Sequence, residues 1–282
     1  MKALRSLARL AAAAVILSAC ATTGPSNSNK AFVMEALNEA LVKGNPDVVP
    51  QYWAPGYIQH NPGIANGLEA QKGLIKNMSQ RGPFNPEYVR VIADDDIVAV
   101  HARYSGFGPK ATIGFDVFRV EDGLIIEHWD NLREEQPLNP SGRSQIDGAT
   151  EITDLDKTEA NKAKVKEFIT KSLIEQSEIN ITDYISPVTY LQHNPDVADG
   201  LDGFGVAMAE MAKAGQTMTY SKLHKVIGEG NFVLTMSEGA LGPNPMAFYD
   251  LFRLEDGLIV EHWDVIAPMP GPDAKHNEAS KF

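Results

Sequence analysis

Two phrases recur in this chain at nearly constant spacing. Residues 57–67 read YIQHNPGIANG and residues 190–200 read YLQHNPDVADG, with 7 of 11 positions identical. Residues 118–132, FRVEDGLIIEHWDNL, return at 252–266 as FRLEDGLIVEHWDVI, with 11 of 15 identical. The offsets are 133 and 134 residues, so only a single-residue gap separates the copies. Periods of about 20–50 residues build solenoids, whereas a period this long is a whole domain. The chain is therefore expected to hold two copies of one fold.

Each copy runs in the same order. KAFVMEALNEALVKGN spaces Val33, Leu37 and Leu41 at helical intervals, and Gly44 ends the run. A short Pro-bounded segment and the QHNP loop follow, then a second helix over about 68–80. After RGPFNPE the pattern turns to alternating β-branched and aromatic residues separated by turn residues, which reads as strands. The second copy repeats this from Thr158. Helices followed by a run of strands predict an α+β fold, since parallel βαβ units would alternate. The divisions expected are a domain at 30–135, a linker at 136–157 that doubles as a packing arm, and a domain at 158–282.

The first residues serve another purpose. Lys2, Arg5 and Arg9 precede a short apolar run at 10–17. A bilayer span needs about 20 apolar residues, so residues 1–19 read as a secretory signal. The sequence Leu17-Ser18-Ala19-Cys20 resembles a bacterial lipobox, in which the signal is cut before a cysteine that is then acylated. Cys20 is the only cysteine, which rules out an internal disulfide or a Cys-based zinc site. Residues 20–29 read as a polar tether. Ala21 after the cysteine resembles the sorting pattern for the outer membrane, so a lipid anchor in the bacterial cell envelope is expected. The net charge of −12, more negative still without Lys2, Arg5 and Arg9, opposes nucleic-acid binding. No Gly-rich phosphate loop is present.

The hairpin in VEDGL sets which residues share a sheet face. A three-residue Glu121-Asp122-Gly123 loop places Asp116 directly across from His128, with Asp130 beside them on the same face. The same count sets Asp250 opposite His262, next to Asp264. A two-residue Asp-Gly turn shifts the pairing by one and separates them; the three-residue register is the one expected here. An Asp–His–Asp set is either a hydrogen-bonded structural pair inherited by both copies or an acid/base group, because a carboxylate against an imidazole holds a base near neutral pH. The QHNP loops add Tyr57, His60 and Asn61, and Tyr190, His193 and Asn194, as ligand-binding candidates; Asn-Pro is equally plain turn chemistry. No metal-motif spacing occurs, so a site built from His60, His128 and Asp130 is not favoured.

Helices first, then strands ending in FDVFRVEDGLIIEHWD, together with the YIQHNP loop, resemble the SnoaL-like polyketide cyclases of the nuclear transport factor 2-like superfamily. The resemblance covers both repeats. It implies two tandem cone-shaped half-barrels, each with helices closing an apolar pocket over a curved antiparallel sheet. It also implies a carboxylate acid/base catalyst needing neither metal nor organic cofactor, acting on a small apolar carbonyl compound. The family's terminal-strand acid falls on Asp130 and Asp264, the neighbouring-strand acid on Asp116 and Asp250, with His128 and His262 as partners. The superfamily also holds non-enzymatic modules, so an envelope lipoprotein that binds a small ligand or a protein is the alternative. Domains of this kind pair through their sheets. The two repeats are therefore expected to form an intramolecular pseudo-dimer, with Trp129 and Trp263 on the shared face.

Overall fold

A computed structural model describes residues 25–106, 108–271, 277 and 279–282. The signal segment and Cys20 lie outside the described residues. Helix α1 (Pro25–Leu37) continues as a π-helical turn (Asn38–Val42), and Val33, Ala36, Leu37 and Ala40 form its buried stripe. A one-turn helix α2 (Val49–Tyr52) leads into strand β1 (Trp53–Gln59). Helix α3 (Leu68–Arg81) follows, then strands β2 (Asn85–Asp94), β3 (Ile97–Ser105), β4 (Thr112–Glu121) and β5 (Leu124–Glu134). The second copy repeats this with α4 (Thr158–Phe168), β6 (Leu191–Gln192), α5 (Gly200–Lys213), β7 (Met218–Glu229), β8 (Phe232–Leu241), β9 (Asn244–Glu255) and β10 (Leu258–Pro268). Among the described residues no helix is long and apolar enough to cross a membrane.

Both copies form a five-stranded sheet, in the orders β1-β5-β4-β3-β2 and β6-β10-β9-β8-β7. Four strands are antiparallel neighbours, and the fifth, β1 or β6, joins the edge in parallel with β5 or β10. The result is the α+β arrangement of two tandem half-barrels. The edge strand was hidden in the sequence because Pro55 and Gly56 break its alternation.

The hairpin register corrects the sequence expectation. Glu121 pairs with Leu124, so the loop is the two residues Asp122 and Gly123, both left-handed with φ of 51° and 73°. That is the turn geometry Asp-Gly favours. One extra residue, Ile126, then bulges from β5, so Val120 faces Ile125 while Arg119 faces Glu127. Beyond the bulge Asp116 faces Asp130, and Phe118 faces His128. The second copy does the same, with Asp256-Gly257 as the turn, Val260 as the extra residue and Asp250 facing Asp264. The turn shifts the pairing by one and the bulge shifts it by one more. His128 and Asp130 therefore stay on the face of Asp116, and His128 lies diagonal to it.

The inner face of each sheet packs on its own helices, α1 and α3 in one copy and α4 in the other, where Leu201 and Phe204 of α5 add a half-buried contact. The outer faces pack on each other. Phe115, Val117 and Trp129 from the first sheet share one buried cluster with Tyr249, Leu251 and Trp263 from the second. Asn131 crosses this interface, its amide donating to the carbonyls of Val265 at 2.6 Å and Ala247 at 3.1 Å. Lys225 sits 4.3 Å above the Trp129 ring, and the Arg90 guanidinium 3.9 Å above Trp263. The segment after β5 packs here too: Ile146, Ala149 and Ile152 rest against the shared cluster.

Candidate functional site

Strand alternation sorts the QHNP loop. Tyr57, Gln59 and Asn61 turn inward to a cavity of about 320 Å³ under α3, and Tyr190, Gln192 and Asn194 to one of about 990 Å³ under α5. The intervening histidines point the other way, which corrects their assignment as ligand-binding residues. His60 Nε2 lies 2.7 Å from Glu127, with its ring stacked 4.8 Å from Trp129. His193 Nε2 lies 2.9 Å from Glu261, with its ring 4.7 Å from Trp263. Residues one apart on an extended segment face opposite sides, so this split was readable from the loop itself.

The cavity floors carry the Asp–His–Asp sets. In the first repeat His128 Nε2 is 2.9 Å from Asp116 Oδ1 and Nδ1 is 2.8 Å from Gln59 Oε1. Asn61 Nδ2 donates to Asp130 Oδ2 at 2.5 Å. In the second, His262 Nε2 is 3.3 Å from Asp250 Oδ1, Nδ1 is 2.9 Å from Gln192 Oε1, and Asn194 Nδ2 donates to Asp264 Oδ2 at 2.7 Å. The backbone N–H groups of His193 and Asn194 both donate to Gln192 Oε1, at 2.9 and 3.0 Å, which fixes that atom as oxygen. Both ring nitrogens of His262 thus face acceptors, a pattern satisfied in full by the doubly protonated ring. Burial works against that charge, but the hydrogen bond to Asp250 and the field of Asp264 and Asp250 outweigh it and push the His262 pKa up. Burial raises the Asp264 carboxyl pKa, and neighbouring Asp250 adds to this; His262, the Asn194 amide and Arg133 only partly offset the rise.

Sequence reasoning missed one group. A tyrosine hydroxyl donates to the neighbouring-strand aspartate in both copies, from different strands. Tyr104 on β3 donates to Asp116 Oδ2. Tyr220 on β7 lies 3.2 Å from both oxygens of Asp250. Register shows the exchange: Asp116 faces Val100 and Asp250 faces Thr235, so Tyr104 and Gly239 occupy corresponding places four residues on. Opposite them stand Pro86 and Tyr220 respectively. A Cβ at Gly239 would come within 1.9 Å of the Thr219 carbonyl, so this place in the second copy is closed to a side chain. Burial pushes both phenol pKa values well up, aided by the adjacent aspartates, so the hydroxyls stay protonated as donors. The signal in the sequence was a tyrosine on each second or third strand with inward parity, visible only once the register was known.

The ligand atoms of Asp116, His128 and Asp130, and likewise of Asp250, His262 and Asp264, lie within 4.8 Å of one another, close enough to share a divalent cation. Asp116 and Asp250 instead pair with their histidine and tyrosine, Asp130 and Asp264 accept from Asn61 and Asn194 through Oδ2, and Lys281 Nζ lies 3.6 Å from Asp130 Oδ1. Both nitrogens of each histidine are engaged, so a metal would have to displace these hydrogen bonds.

Residues 34–128 match the SnoaL-like domain family. The first repeat is a SnoaL-like domain. No curated protein matches the chain. Among solved structures, TsrD from Streptomyces laurentii is 22% identical over 37% of this chain and 88% of its own, with a TM-score of 0.34. An LEH-like epoxide hydrolase of M. tuberculosis is 24% identical over 38% of this chain and 80% of its own, with a TM-score of 0.33. A Jannaschia protein described as a SnoaL-like polyketide cyclase is 20% identical over 39% of this chain and 88% of its own, with a TM-score of 0.35.

Proposed function

We propose that the repeats are acid/base sites that remove a proton alpha to the carbonyl of an apolar substrate, as an aldol-type cyclase or isomerase does. The observation that carries this reading is the tyrosine exchanged between strands. A duplicated domain inherits structural pairs unchanged, so a mere repeat of Asp and His decides nothing. Here the residue supplying the hydroxyl has moved to another strand while the hydrogen bond to the aspartate is kept. That points to a requirement for the group itself.

In the second repeat Asp264 is the base. Its raised pKa brings a carboxylate closer to the basicity that proton abstraction needs. The α C–H pair becomes the enolate π bond as the proton passes to Asp264. Tyr190 accepts a hydrogen bond from Gln192 Nε2 at 3.3 Å, which leaves its own O–H proton to donate to the enolate oxygen. Asp264 then returns the proton to carbon, or the enolate carbon attacks a second carbonyl in a ring closure and the Asp264 proton passes to the alkoxide that forms. His262, Asp250 and Tyr220 hold the local charge and orientation. Asp130, Tyr57, His128, Asp116 and Tyr104 are the corresponding set in the first repeat.

The test is deuterium uptake at the α carbon of straight-chain and aryl methyl ketones in D₂O, followed by proton NMR on the full chain. Asp264→Asn with Asp130→Asn is expected to slow uptake by about a hundredfold or more while the protein stays folded. Uptake in the double variant equal to wild type, or none above buffer in the wild type, would overturn the reading and leave a non-catalytic binding protein.

We also propose that Cys20 carries a lipid that tethers both pockets to a cell-envelope membrane, on the strength of the Leu17–Cys20 motif. Cys20→Ser is expected to release the protein from the membrane fraction; unchanged membrane association would refute the anchor.

A further inference from the structure

The two cavities share the Asp–His–Asp floor and differ in size and in part of the wall above it. The first, about 320 Å³, is walled by rings: Trp53, Tyr57, Phe84, Tyr88, Tyr104 and Phe118. The second, about 990 Å³, also has five Phe and Tyr rings but adds Met208, Met211, Met218 and Met246, where the first has only Met78. Small-molecule sites span roughly 300–1,000 Å³, so the copies sit at opposite ends of that range. Rigid aromatic walls suit a small, shaped ligand. Unbranched thioethers adapt to a ligand with many conformations.

The helices above the cavities differ in the same sense. Helix α3 buries Gln71, Ile75 and Met78. Helix α5 buries no residue at all, although it is rich in apolar side chains. Its cavity-lining Phe204, Ala207, Met208 and Met211 are only half-buried, and Val206 is 63% exposed. A helix of this composition needs an apolar partner to stay in place. The protein supplies only part of one, and the space beneath the helix is where the remainder fits.

We propose that the second pocket takes a flexible long-chain amphiphile with one oxygen-bearing end group, and that α5 packs on its chain. The end group meets Asp264 and Tyr190 on the floor; the chain runs between the methionines and α5. This rests on reading the second pocket as a ligand site, and not on the proton transfer.

Binding of straight-chain methyl ketones, from pentyl to undecyl, is measured by calorimetry on the full chain, with amide hydrogen exchange on the undecyl complex. Affinity is expected to rise up to about fourfold per added CH₂. Amides of α5 are expected to slow at least tenfold and those of α3 to stay unchanged. Ala207→Trp, on a half-buried position of α5, fills the cavity and is expected to weaken the undecyl ketone at least tenfold. Its circular dichroism and melting temperature check that it folds, and Met208→Trp, also half-buried on the cavity wall, is the second filling variant. Affinity independent of chain length, tighter binding of a rigid tricyclic ketone, or unchanged α5 exchange in the complex would each overturn the proposal. Asp264→Asn keeps the chain-length dependence on this view. Absence of deuterium uptake in the wild type with intact chain-length dependence therefore strikes only the proposed chemistry, and uptake without chain-length dependence strikes only this proposal.

Discussion

His128 Nε2 lies 2.9 Å from Asp116 Oδ1 although the residue opposite Asp116 in the hairpin is Asp130. The contact depends on two one-residue shifts, the Asp122-Gly123 turn and the Ile126 bulge. Deleting Ile126 removes the bulge together with its extra residue, so Phe118 still faces His128 and Asp116 still faces Asp130. The deletion is therefore expected to keep cooperative unfolding in urea and the inward parity of the site. Gly123→Ala keeps both shifts and strains only a left-handed residue at φ 73°. It is expected to cost about 1 kcal/mol in the same measurement. An Ile126 deletion that unfolds without cooperativity would show that the bulge does more than absorb the extra residue.

The tyrosine exchange makes a prediction that a purely structural pair does not. Tyr104→Phe leaves Asp116 short of one hydrogen bond and is expected to cost about 1–3 kcal/mol. Tyr104→Gly combined with Pro86→Tyr rebuilds in the first repeat the arrangement that the second uses. This double variant is expected to recover stability and ketone deuterium uptake relative to Tyr104→Gly alone. No recovery of either would mean that the two tyrosines are unrelated solutions to packing.

Much of this was legible in the residues. The repeat, the order of helices and strands and the inward face of the last strand follow from alternation and turn chemistry, because each is local. What was not legible depends on partners distant in sequence. The register failed because a bulge has no residue signature: Ile126 looks like any strand isoleucine. Edge strand β1 was missed because it pairs in parallel with a strand about 70 residues away, and Pro55 and Gly56 mask it. His60 and His193 were misplaced because the loop was not read as extended backbone. The unequal cavities were invisible because α3 and α5 are both apolar enough to be core helices, and only the structure shows that one of them is left uncovered.

His262 makes folding sensitive to pH with a definite sign. Its pKa is raised in the folded protein above the ordinary value of about 6.5. The attraction to Asp250 and Asp264 therefore contributes fully below pH ~6.5 and is lost as pH rises through the folded value. His262→Gln cannot take the proton. The stability advantage of wild type over this variant in urea is expected to shrink as pH rises above about 6.5. An advantage that grows with pH would mean that the ring is held neutral, and that the acceptors on both its nitrogens have been misassigned.

Arg90 ties the segment between the repeats to the shared sheet face. It comes from β2 of the first sheet and donates to the carbonyls of Ile146 at 3.1 Å, Asp147 at 2.6 Å and Ala149 at 2.7 Å. It also stacks on Trp263 of the second sheet, whose own indole N–H donates to the Asp147 carbonyl at 2.9 Å. Only 4% of Arg90 is exposed, and burial draws its pKa down to about 10. Arg90→Met fills much of the same space but leaves three carbonyls without their donor, at an expected cost of about 3 kcal/mol. Arg90→Lys keeps the charge without the planar fork and is expected to fall between the two. Limited proteolysis should then cut within residues 136–157 faster in Arg90→Met than in Arg90→Lys, and slowest in wild type. If Arg90→Met unfolds at the wild-type urea concentration and this segment is cut no faster, the repeats are held together by their apolar faces alone.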